Sequence, residues 1–238
     1  MKIEIWSDIA CPWCYVGRRR LEAALADFDA RDQVEIVWRS FQLDPNAPRQ
    51  STKTLTEVLA KKYGISHQQA EGMQRRVTDV AAEEGLIFHM ERTQSVNSFD
   101  AHRVLHMAAE IGRQSAMKER LQTAYFTDGL SVADHETLVQ LARKIGLDGA
   151  AVGAMLNTGT YAAAVRGDIS RARDMGVQSV PFFLFDEKYA ISGAQPVEVF
   201  TRALSLAWAD APKPIQMVGE SADVDCCDDE ACAIPLEA

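Results

Sequence analysis

Residues 1–25 read MKIEIWSDIACPWCYVGRRRLEAAL, and this stretch decides the fold. "KIEIW" (2–6) is rich in β-branched and aromatic residues and predicts a buried strand. "RRRLEAALADF" (18–28) places Leu21, Ala24, Leu25 and Phe28 at helical spacing. Between them stand Cys11 and Cys14, three positions apart. A second strand is predicted at "VEIVWR" (34–39), so the opening is β-α-β, which favours parallel strands joined by a right-handed crossover.

The thiol pair sits where the helix begins. A cysteine at a helix N-terminus faces free backbone N–H groups and the positive end of the macrodipole, both of which favour thiolate. Cys11 takes the cap position and Pro12 the first helical position, where a missing N–H costs nothing. Cys14 follows one turn later on the same face, within disulfide reach. The expected chemistry is thiol–disulfide exchange, with Cys11 attacking and Cys14 resolving the mixed disulfide. The bland readings are a buried structural couple or half a zinc site. Zinc usually wants four ligands, and C-x-x-C after a strand in β-α-β favours redox.

Farther along, "LTEVLAKKYG", "SHQQAEGMQRRVTDVAAEEG", "SFDAHRVLHMAAEIG", "SAMKERLQTAYFTDG", "DHETLVQLARKIG" and "YAAAVRGDISRARDMG" follow one another. Most open on Ser or Asp and nearly all close on Gly, the N-cap and C′ signals of helices. Ser66 with Gln69 fits a capping box. Strand signals return at "PFFLF" (181–185) and "YAIS" (189–192), with Asp186 and Glu187 as the turn of an antiparallel hairpin. "PVEVFTRALSLAWA" (196–209) is a last helix. The predicted fold class is α/β: a four-stranded sheet flanked by helices, built from residues 1–51 and 177–210, an all-helical insertion of residues 52–176, and a cysteine-containing tail of residues 211–238.

The 238 residues carry a net charge of -9, which argues against nucleic acid and anionic membrane as partners. No apolar run approaches the ~20 residues of a membrane span. No signal region follows Met1, so the expected compartment is the cytoplasm. The sequence holds no G-x-G-x-x-G, P-loop or Ser-His-Asp spacing, and no cofactor is expected. His102 and His106 share a helix face without a third ligand, so no metal is expected there. "RRR" (18–20) reads as a solvated helix face that adds positive potential near the thiols, or equally as an attractor of acidic or glutathione-like substrates. Trp6, Trp38, Phe182 and Phe183 read as core or groove lining. Asp8, three before Cys11, is either a proton acceptor for the resolving cysteine or a polar strand end.

"SDIACPWCYVGRRRLE" (7–22), "FQLDP" (41–45), "NSFDAHR" (97–103), "AYFTDG" (124–129), "GVQSVPFFLF" (176–185) and "SGAQP" (192–196) together resemble the DsbA-like branch of the thioredoxin superfamily, and within it the FrnE-type cytosolic protein disulfide oxidoreductases and isomerases. The resemblance runs from Met1 to about Trp208. It implies a cis Val180–Pro181 peptide beside the dithiol, with Trp13, Val180 and Pro181 facing an extended substrate. It implies protein or peptide disulfides, and glutathione, as partners. Trp13 brings no charge to the thiols, so the pair should be less oxidising than periplasmic oxidants of the family.

The tail "DVDCCDDEAC" holds Cys226, Cys227 and Cys232 among Asp225, Asp228, Asp229 and Glu230. These acids disfavour thiolate. Tail thiols would therefore pass electrons to a Cys11–Cys14 disulfide and close as Cys227–Cys232. Soft-metal capture and an inert acidic end are the competing readings of the tail. For the whole chain, two alternatives stand beside the oxidoreductase. One is a glutathione-dependent enzyme of the kappa-class or 2-hydroxychromene-2-carboxylate isomerase type, which usually carries serine where Cys11 stands and lacks Cys14. The other is a metal-binding or redox-sensing protein. A homodimer forming a cleft would suit an isomerase, and the oligomeric state stays open.

Overall fold

The computed structural model describes residues 1–51 and 53–211. A four-stranded sheet forms its centre, in the order β2-β1-β3-β4. β1 (Lys2–Ser7) pairs parallel with β2 (Glu35–Ser40) and antiparallel with β3 (Phe182–Phe185), and β3 pairs antiparallel with β4 (Tyr189–Ser192). Asp186 and Glu187 close the hairpin with positive φ, 45° and 56°. Such angles match a two-residue turn to the twist of its strands. The Asp186 carboxylate accepts the Lys2 amide at 2.6 Å, tying the turn to β1.

Strand alternation sorts β1 between two layers. Ile3 and Ile5 point to α1 (Pro12–Ala26) and to α9 (Val197–Asp210), where Leu21, Ala24, Phe183, Phe185, Phe200 and Leu204 join them in one core. Glu4 and Trp6 point the other way, to α8 (Ala162–Asp174). There Trp6 donates to the Asp168 carbonyl at 3.0 Å, and Glu4 binds Arg39 and Arg171.

Seven helices fill the stretch between β2 and β3: α2 (Leu55–Tyr63), α3 (His67–Glu83), α4 (Phe99–Ala109), α5 (Gln114–Phe126), α6 (His135–Lys144), α7 (Gly149–Leu156) and α8. Ser66 and Gln69 form the expected capping box at the start of α3. Their core contains Val77, Val104, Leu105, Met117, Leu121 and Phe126, and it also takes in Ile9, Tyr15 and Val16. Helix α1 thus lends one face to each core, while Cys11 and Cys14 pack in a third cluster with Trp6, Ala172, Val177, Val180 and Leu184.

Three local expectations change. Ser115 does not cap α5; that helix starts at Gln114, and the Ser115 hydroxyl accepts from Trp38 Nε1 at 2.9 Å. Helix α7 escaped the sequence reading because Gly149 and Gly153 weaken its propensity. It forms because Asp148 accepts the Ala150 amide and because buried Arg103 donates to the carbonyls of Met155, Leu156, Thr158 and Thr160 at its end. The 18–20 arginine run is not a solvated face. Arg18 lies over Trp38 and pairs with Glu22 and Glu119, Arg19 pairs with Glu22 and Glu119, and Arg20 pairs with Glu84. The run clamps α1 to the helical insertion, and its charge is neutralised there.

Candidate active site

Cys11 is the N-cap of α1, with extended backbone, and Pro12 opens the helix as expected. Both cysteines are free and buried, Cys11 at 4% exposure and Cys14 at 1%. The Val180–Pro181 bond is cis and places the Val180 carbonyl opposite Cys11, whose Sγ donates to it at 3.7 Å. Trp13 projects outward at 42% exposure. The structure therefore brings Cys11, Cys14, Val180 and Pro181 together, with Trp13 at the rim.

A cavity of about 230 Å³ opens beside Cys11. Cys11, Pro12 and Trp13 line one end, and Leu59, Val77 and Met90 of the helical insertion line its apolar walls. Cys14 does not reach it. Of the two sulfurs, Cys11 is the one an incoming group meets.

The charge distribution differs from the sequence expectation. Cys11 makes no side-chain cap bond to the helix amides, because its thiol turns to Val180. A hydrogen bond to Cys14 and burial push the Cys11 thiol well above its ordinary value, and the charge on Cys14 adds to this. Burial opposes ionisation of Cys14 too. The hydrogen bond from Cys11, the ammonium of Lys118 and the Ser7 hydroxyl outweigh it and bring Cys14 below its ordinary value. The pair ionises as a unit, with the Cys11 thiol held up and the Cys14 thiol drawn down. Cys14 is thus placed to take the Cys11 proton as Cys11 attacks.

Behind Cys14 lies a polar chamber formed by Ser7, Asp8, Ser98, His102, Lys118 and Gln122, each at most 3% exposed. Burial works against the Asp8 anion, but His102, the Leu43 amide and the Ser98 hydroxyl hold its carboxyl below the usual range. The Leu43 amide donates to it at 2.8 Å. His102 Nε2 stands 3.4 Å from Asp8 Oδ1, and burial lowers its basicity in spite of that neighbour, so His102 is neutral at pH 7. Lys118 is fully buried, and desolvation pulls it down to about 8. Burying an ammonium costs several kcal/mol without nearby anionic groups, and here Cys14 and Asp8 are the groups whose negative charge favours it.

The two histidines each meet a different carboxylate: His102 meets Asp8, and His106 meets Asp168 at 3.2 Å while contacting Ser40. Asp8 is a buried member of the thiol cluster rather than a plain strand end. Sequence reasoning missed Lys118 altogether. "SAMKERLQ" reads as an ordinary solvated lysine, and only the docking of α5 against β1 and β2 buries it. The tail cysteines Cys226, Cys227 and Cys232 lie outside the described residues.

A dithiol at a helix start, a cis-proline loop facing it and a helical insertion between β2 and β3 together define a thioredoxin-type redox site. The chain belongs to the DSBA-like thioredoxin domain family, whose model matches residues 2–205. It is 43% identical to a probable DsbA oxidoreductase from Streptomyces coelicolor, with a TM-score of 0.86 and 99% of each chain covered. At 16% identity it shares its fold with a 2-hydroxychromene-2-carboxylate isomerase (TM-score 0.66, 87% of this chain and 95% of that one). The cytosolic disulfide reductase DsbM from Pseudomonas aeruginosa shares the fold at 16% identity as well (TM-score 0.60, 89% of this chain and 100% of that one).

Proposed function

We propose that this protein is a cytoplasmic thiol–disulfide oxidoreductase that reduces or isomerises protein and peptide disulfides. One observation carries the reading: Cys11 lines an apolar cavity and its Sγ faces the Val180 carbonyl, while Cys14 is buried and does not line that cavity. Cys11 attacks a substrate disulfide, one substrate sulfur leaves with the electron pair, and Cys11 is left in a mixed disulfide. Cys14 then attacks Cys11, expels the second substrate sulfur and closes the Cys11–Cys14 disulfide. Two electrons have passed to the substrate.

The cavity suits an apolar side chain next to the substrate cysteine, and the Val180 backbone suits strand-like pairing with the substrate chain. Trp13 offers the pair no charge, so in a glutathione-reducing compartment it rests reduced. Glutathione serves as the terminal donor. Cys227 and Cys232 act as an auxiliary pair that passes electrons to the Cys11–Cys14 disulfide and is itself re-reduced by glutathione.

The test is insulin reduction and refolding of scrambled ribonuclease by the wild type, Cys11→Ser and the double variant Cys227→Ser, Cys232→Ser. The reading expects Cys11→Ser to lose both activities and the double variant to keep a slower turnover. Retention of either activity by Cys11→Ser would overturn it, and unchanged turnover in the double variant would remove the tail from the cycle.

A further inference from the structure

We propose that Lys118, supplied by the helical insertion, is the positioning residue that readies Cys14 to release a captured substrate. This deepens the dithiol reading above and rests on it.

Lys118 projects from α5 toward the end of β1. Its Nζ donates to the Ser7 carbonyl at 3.4 Å and lies 5.5 Å from the centre of the Trp38 ring. The Ser7 hydroxyl, on the residue whose carbonyl Lys118 meets, is one of the groups that lower Cys14. An ammonium has three donors, and Ser7 is the hydrogen-bond acceptor Lys118 meets among the described residues. No carboxylate pairs with it there. Packing alone would favour methionine, because a poorly paired buried charge costs stability. The position makes sense if the charge has work to do. The titratable groups facing it are Cys14 and Arg18 of α1, Cys11 at its cap, Asp8 after β1, and His102 of α4. Arg18 is spoken for by Glu22 and Glu119. Asp8 already accepts from the Leu43 and Ala10 amides. His102 is neutral, as shown above. Cys11 turns its thiol to the Val180 carbonyl, which leaves Cys14 as the group whose charge Lys118 governs.

The step concerned is resolution. Cys14 must pass the proton it took from Cys11 to water before it can attack, and water returns one to the leaving sulfur. Its sulfur then bonds Cys11, the Cys11–substrate S–S bond breaks, and the leaving sulfur carries off the electron pair and takes up a proton. Lys118 favours the anionic Cys14 from which this begins. The helical insertion therefore supplies the redox centre with its buried charge, in addition to walling the cavity.

The experiment loads Cys11 with glutathione and follows its release from wild type, Lys118→Met, Lys118→Gln and Lys118→Arg across pH 6–10. Cys11 capture is read separately in the Cys14→Ser background with and without Lys118→Met. The expected result at pH 7 is about tenfold slower release for the neutral variants, the change that one pKa unit produces. Their profile moves to higher pH, and Lys118→Arg recovers part of the rate. Capture by Cys11 in the Cys14→Ser background continues. Wild-type release and an unmoved pH profile in whichever neutral variant folds would overturn the proposal. Failure of capture in Cys14→Ser would instead sink the dithiol reading itself.

Discussion

Gly17 and Pro181 touch: a Cβ on Gly17 would meet Pro181 Cγ at 3.0 Å, and Phe183 Cζ at 3.2 Å. The second turn of α1 thereby lies directly under the loop that faces Cys11. Glycine inside a helix costs about 1 kcal/mol against alanine, so the close approach is what this position gains. Gly17→Val should destabilise the fold by about 2 kcal/mol, as overpacking does. It should also slow disulfide exchange by pushing Pro181 away from the dithiol. Urea unfolding and insulin reduction measure the two effects. A variant as stable and active as wild type would show that the contact is slack.

Glu4 crosses the sheet to Arg39 and Arg171, and its side chain is 2% exposed. Burial opposes its ionisation, but the two guanidinium groups hold it at about 2, against an ordinary 4.5. A carboxyl depressed in the folded state stabilises above its unfolded value and loses that contribution as pH falls. The loss should run from about pH 4.5 down through about 2. Glu4→Gln should cost about 2 kcal/mol at pH 7 and much less at pH 3. Thermal unfolding at both values checks this, and equal losses would remove the charge from the explanation.

Leu59 lines the cavity wall opposite Cys11. If that cavity receives an apolar side chain of the substrate, Leu59→Glu should raise KM for insulin several-fold and leave reaction with a small aromatic disulfide reagent unchanged. Equal loss on both substrates would point to damage at the thiols rather than to substrate recognition.

Much of this was legible in the sequence. The two strands around Cys11 and Cys14, the Ser66–Gln69 box and the hairpin turn at Asp186–Glu187 are local patterns, set by residues within a few positions of one another. Residues whose partners come from distant segments were not legible. Arg18, Arg19 and Arg20 look solvated until Glu84, which caps the end of α3, and Glu119 of α5 arrive. Asp8 stays divided between strand end and proton acceptor until His102 reaches it from α4. The helix-start argument predicted an easily ionised Cys11. It neglected the Val180 carbonyl, which takes the thiol's hydrogen bond, and Lys118, which draws the negative charge to Cys14.

The central claim is that Cys11 captures and Cys14 releases. Intact-mass measurement after exposure to glutathione disulfide tests it directly. Wild type should lose the hydrogens of both thiols and carry no adduct on Cys11 or Cys14. Cys14→Ser should retain glutathione on Cys11, and Cys11→Ser should leave Cys14 unmodified. A stable adduct on Cys14 of Cys11→Ser, or failure of the wild-type pair to close, would contradict the account.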